Sequence, residues 1–192
     1  MKKINRLKTA GLAFISGVLF AMPATARTFD HSVGFSYLSG FGDVVEFYDD
    51  IPYTYQETDT VPVGISYRAT ANLDSGMRVD LGIGPLALIF GDYEYWDVPL
   101  HATLGFSFFP NHSVRPYLRV GASLHIADGD YMTEDPGVGL LGAAGLEIGD
   151  RGRLSGFIEI AHDTAEATFE YSAAHREKIK VNGTVITLGV TF

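Results

Sequence analysis

The sequence contains no cysteine. That absence excludes disulfides, thiolate metal sites and a lipid-modified N-terminal cysteine. Basic residues become scarce after the first 26 positions. Lys2, Lys3, Arg6 and Lys8 lie within that stretch, which has no acidic residue. Residues 27–192 therefore carry 10 basic against 23 acidic residues, a net charge of −13. A nucleic-acid binder shows a basic patch; none is present, and no nucleic-acid partner is expected. Long apolar runs are also missing after residue 26. Each is broken by glycine, proline or charge within about ten positions, too short for a helix that crosses a bilayer.

The exception is the beginning of the chain. Residues 1–26 read as a secretory signal peptide, followed by one domain over 27–192. The four basic residues form its positive start, Ala10–Met22 its apolar core, and Ala24–Ala26 a small-x-small cleavage site before Arg27.

What fills residues 27–192 is alternation with a period of two, the signature of strands. One face reads Phe29, His31, Val33, Phe35, Tyr37; then Val61 to Leu73; then Met77, Val79, Leu81, Ile83. It continues from Trp96 to Phe108, Leu118 to Ile126, Val138 to Ile148, Leu154 to Ile160, and Thr184 to Phe192. The opposite face is small or polar, with Gly34, Ser36, Ser66, Arg68, Arg78, Asp80, His101, Arg119, His125, Glu147 and Glu159. Such a face is poor solvent surface and a good barrel interior. Apolar side out and polar side in is the pattern of a membrane-spanning barrel. Only a closed barrel spans lipid with strands, because an open edge leaves backbone groups unpaired.

These features predict an all-β fold: a transmembrane antiparallel up-and-down barrel of eight strands. Short links at Asp74–Gly76, Pro110–Pro116 and Gly149–Arg153 fall at one end. Longer links at 42–60, 91–95, 128–136 and 163–177 fall at the other. Short periplasmic turns and longer extracellular loops follow, with both chain termini periplasmic. Tyr37, Phe41, Tyr93, Tyr95 and Trp96 are expected in an outer aromatic girdle, and Phe106, Phe108 and Phe192 in an inner one. Pro85 falls on a lipid-facing position and implies a bulge or strand end. Ala167–Tyr171 is expected to pair with Arg176–Val181 in a long final hairpin.

Together the apolar start, the eight alternating strands and the terminal aromatic resemble the small outer-membrane barrels of Gram-negative bacteria: OmpX-like proteins, the transmembrane domain of OmpA, and OmpW-like proteins. The resemblance implies that Ile186, Leu188, Val190 and Phe192 form the signal read by the barrel-assembly machinery. It also implies that the partners are outer-membrane lipid, lipopolysaccharide and that machinery, with the barrel itself monomeric and located in the outer membrane.

Three functions remain open. In the first, Arg68, Arg78, Asp80, Arg119, Glu147 and Glu159 pair inside and plug the lumen, and acidic and aromatic outer loops do the work in surface binding, adhesion or envelope integrity. Asp49, Asp50, Tyr53 and Tyr55 are the candidate ligand-binding residues, since carboxylates and rings together suit a cationic partner. In the second, the barrel is a narrow channel or a lateral path for small solutes, as the OmpW-like resemblance implies. In the third, it is a lipid-modifying enzyme. His162, Asp163 and Glu166 are the nearest acid–base set, but no serine lies at a neighbouring spacing, Ser155 falls on the opposite face, and no enzyme is expected. No cofactor is expected either. Asp128, Asp130 and Glu134 cluster without a full calcium-loop spacing, a weak metal candidate only.

Overall fold

The computed structural model describes residues 28–51, 63–73, 75–89, 93–172 and 174–192. Residues 1–26, the expected signal peptide, lie outside them. In chain order the elements are β1 (Thr28–Leu38), α1 (Ser39–Asp49), β2 (Val63–Asn72), β3 (Met77–Ile83), β4 (Ala87–Ile89), β5 (Tyr95–Ser107) and β6 (Val114–Gly129). Then follow β7 (Met132–Glu134), β8 (Val138–Ile148), β9 (Ser155–Asp163), β10 (Glu166–Ser172), β11 (His175–Lys180) and β12 (Thr184–Thr191). No helix among the described residues is long and apolar enough to cross a membrane.

Eight staves close the barrel. The order runs β3-β2-β1-β12-β9-β8-β6-β5, and β3 pairs with β5 to complete the ring. The first and last strands pair antiparallel from Ser32↔Thr191 to Leu38↔Val185. His31 and Phe192 exchange both backbone bonds at 2.8 Å, so the seam is paired to its end.

The side chains are sorted as alternation requires. Val120, Leu140 and Leu188 are 66%, 70% and 59% exposed on the outside, whereas Arg78 and Asp80 are 1% and 0% exposed within. Such a surface is costly in water and matches hydrocarbon.

At Pro85 the expectation is half right. The stave does break, between β3 and β4, but Pro85 is buried and not lipid-facing. Gly84 and Pro85 are successive inward residues, so the parity shifts by one and Leu86 and Leu88 become the outward pair. Pro85 has no N–H for the ladder. It packs on Gly64, where an added Cβ would lie 2.8 Å from the Pro85 Cβ.

The long-loop end departs further from expectation. The supposed loop after Phe41 is helical: α1 buries Phe41, Val44, Val45, Phe47 and Tyr48 and exposes Asp43, Glu46 and Asp49. Spacings of three and four give it one apolar face. The Gly40 N–H donates to the Asn182 carbonyl at 3.2 Å, and the Thr184 N–H to Ser39 Oγ at 2.9 Å. Gly40 is the residue that permits this approach, because a Cβ would meet the Lys180 carbonyl oxygen. The helix lies over the barrel mouth, and its apolar face joins Ile89, Tyr95, Phe169, Ile179 and Val181 in one buried cluster. Phe41 and Tyr95 therefore belong to this cluster and not to a girdle; Tyr93 packs half-buried against it. Tyr37, Trp96, Phe106, Phe108 and Phe192 are exposed on the outside as expected.

Beyond the mouth, β11, β10 and β7 form a small second sheet. Ala167 pairs with Ile179 and Phe169 with Glu177, so the two segments expected to form the final hairpin do pair. Gly183, at φ +56°, takes the left-handed conformation that lets the chain turn from this hairpin into β12.

Candidate functional site

The interior of the short-turn half is one charge network. Arg78 on β3 reaches Asp80 Oδ1 with Nη2 at 3.0 Å and Glu147 Oε1 with Nη1 at 2.8 Å. Thr70 and Thr103 hydroxyls donate to the two Asp80 oxygens at 2.6 and 3.2 Å. One layer further in, Glu159 on β9 accepts from Arg68 Nη1 at 2.6 Å and from the Tyr117 hydroxyl at 2.7 Å. Arg119 adds Nε and Nη2 to the same carboxylate at 2.9 and 2.6 Å. The Arg78 guanidinium sits 4.3 Å from the Tyr117 ring centroid, and that of Arg68 5.1 Å from Phe157.

All six residues expected inside are thus brought together. Two further members were not anticipated. Arg115 Nε donates to Glu147 Oε2 at 3.4 Å, and its Nη1 donates to the His112 and Gly149 carbonyls. Tyr117 is the other. Both continue the inward parity of Arg119, but a strand begun at Pro116 leaves Arg115 in the turn; β6 begins at Val114. Buried charges are tolerable only when paired and hydrogen-bonded on most of their atoms, and this network meets that condition.

Nearer the long-loop end, His125 bridges two buried carboxylates. Nδ1 lies 2.7 Å from Asp97 Oδ2, and Nε2 lies 3.2 Å from Asp163 Oδ2. This clamp ties β5, β6 and β9 beneath α1, the lid of the barrel. Asp163 Oδ1 also accepts the Ala165 N–H at 3.0 Å. His101 and His125 are both interior, as expected. Asp163 therefore faces inward, whereas His162 faces outward and contacts Thr184 Oγ1 at 3.3 Å. The two do not form a base–acid pair.

The lid is the next layer. The Tyr48 hydroxyl donates to the Asp130 carbonyl at 2.7 Å. Burial, and then the carboxylates of Asp130 and Asp128, hold its phenol well above the usual tyrosine range.

On the outer surface Asp49 and Asp50 end α1 and are exposed. Tyr53 and Tyr55 lie outside the described residues. The weak metal candidate is not assembled. Asp128 Oδ1 accepts the Gly129 N–H, Asp130 Oδ2 accepts the Glu94 N–H, and Glu134 accepts from Thr168 and Arg176. Among the described residues no three acidic or histidine side chains converge as a metal site. Ile186, Leu188, Val190 and Phe192 form an exposed row on the outward face of the last stave.

No protein-family model matches the chain. No curated protein matches it in sequence. Solved structures do match in fold. The outer membrane protein OprG from Pseudomonas aeruginosa is 12% identical, with a TM-score of 0.55 over 87% of this chain and 96% of that one. A de novo designed transmembrane β-barrel is also 12% identical, with a TM-score of 0.50 over 88% and 96%. With its closed ladder and apolar exterior, the chain is an eight-stranded β-barrel of the outer-membrane type.

Proposed function

We propose that the protein is a sealed outer-membrane barrel that works through its outer face, in surface binding, adhesion or envelope integrity. The observation that carries this reading is the double closure. The charge network fills the short-turn half, and the apolar face of α1 covers the opposite mouth. Function then falls to what projects outward. The exposed face of α1 offers Asp43, Glu46 and Asp50, and the β10–β11 hairpin offers Arg176, Lys178 and Lys180.

In this reading the short turns and both termini are periplasmic, and residues 1–26 are removed on export. The surrounding partners are outer-membrane lipid and lipopolysaccharide. The barrel-assembly machinery reads the row ending in Phe192, and the barrel is a monomer without enzymatic activity. The test is adherence to a cationic surface by Gram-negative cells displaying the protein. Combined Asp43→Asn, Glu46→Gln and Asp50→Asn should lower adherence while heat-modifiable gel migration stays normal. Unchanged adherence would contradict the acidic-face reading.

A second reading is favoured by the break at Gly84–Leu86. There the β2–β3 ladder ends at Tyr67↔Ile83, and β4 pairs with β5 alone. A lateral path for small solutes would open through this weakly bonded seam. Its test is solute uptake with the seam locked by a disulfide between cysteines placed at Ile65 and Leu86, both outward and joined by the Leu86 N–H to the Ile65 carbonyl at 3.4 Å.

A further inference from the structure

Between the charge network and the lid lies a chamber of about 50 Å³. Arg68, Arg119 and Glu159 line it on the short-turn side, and Asp163 and Asn182 on the other. Four lining side chains have a buried polar atom with no protein hydrogen-bond partner: Arg68 Nε, His101 Nε2, Ser123 Oγ and Asn182 Oδ1. These side chains belong to residues only 5%, 8%, 2% and 3% exposed. A buried polar group left unpaired forfeits its hydration without return. The orphans comprise a donor, an acceptor, and an imidazole nitrogen and a hydroxyl each able to serve as either.

Charge does not explain them. Glu159 is already matched by Arg68 and Arg119, and His125 already lies between Asp97 and Asp163. The ligand that fits is uncharged, both donor and acceptor, and very small. Size narrows it further, because a water occupies about 10–15 Å³ by the same measure, so the chamber takes about three or four.

We propose that this chamber is a water-binding site. Its waters satisfy Arg68, His101, Ser123 and Asn182 and join the arginine layer to the histidine clamp as one hydrogen-bonded column. The interior is then wet and still sealed, which goes beyond the plugged-barrel reading: the waters are structural and the chamber admits no larger solute.

A crystal structure of the whole detergent-solubilised protein at about 2 Å or better tests this. Discrete peaks within hydrogen-bond distance of the four atoms are expected. Elongated density from a lipid or detergent chain, or no density, would overturn it. An independent arm uses the sign of a stability change in urea. If waters bond Asn182, Asn182→Leu raises the unfolding constant roughly fivefold or more. If the atom is dry, the same change leaves the constant unaltered or lowers it. Should that variant not fold, Ser66→Val fills the chamber from β2. Filling a dry void lowers the unfolding constant, whereas displacing bound water raises it.

Discussion

Arg119 on β6 and Glu159 on β9 meet as a two-point pair, Nε to Oε2 at 2.9 Å and Nη2 to Oε1 at 2.6 Å, across a wall in which β8 stands between them. The planar guanidinium and carboxylate fix each other's orientation. Glu159 also holds Arg68, so one carboxylate anchors two buried cations. Glu159→Gln should cost about 3–5 kcal/mol, because buried Arg119 loses its carboxylate and Arg68 keeps only the more distant Asp80, 4.0 Å away. Urea unfolding in lipid vesicles measures this. A loss below about 1 kcal/mol would show that the pair does not carry the packing of the interior.

Glu147→Gln should be milder. Arg78 keeps Asp80, and Arg115 keeps the His112 and Gly149 carbonyls. The two variants compared under one protocol should rank Glu159→Gln as the more damaging. The reverse order would mean that the layer nearest the short turns is the principal one.

The lid should respond to truncation and to alkali. Phe47→Ala removes a ring packed 5.1 Å from that of Phe169 and should cost about 3–5 kcal/mol of lid stability. Limited proteolysis within α1 reports it. Tyr48 has its folded-state phenol raised, so the folded lid retains a proton that the opened lid releases. Its contribution is full below about pH 10 and declines as pH rises above that value. Protease sensitivity of α1 should therefore increase in strong alkali, and Tyr48→Phe should remove that component.

The last stave separates inside from outside. Leu188→Arg places a charge in lipid and should cost about 2–4 kcal/mol at the midplane. Thr187→Val faces inward and removes only the 2.7 Å hydroxyl contact with Ser36, a loss of about 1 kcal/mol. Refolding into vesicles of defined thickness gives both values. Equal losses would place the register of β12 in error.

Most of the barrel was legible in the sequence because period-two alternation records which side of a stave each residue takes. The six interior charges were found by that parity alone. The misses have local causes. Asp97 and Asp163 share the inward parity but not an evident partner, since His125 meets them only once β5, β6 and β9 are neighbours. Phe41, Val44, Val45 and Tyr48 carry a helical spacing inside a segment rich in acidic residues and glycine, so its apolar face was hidden by its composition. Asp49 and Asp50 stand at the C-terminal end of α1, where helix polarity disfavours acids, so burial and not propensity holds the helix. Pro85 was misplaced because two successive inward residues reset the parity.

The most direct measurement is the conductance of the purified protein in a planar bilayer. The double closure predicts no steady current from the wild-type barrel, and transient openings once Glu159→Gln loosens the inner layer and Phe47→Ala loosens the lid. A steady open-channel current from the wild-type protein would contradict the account.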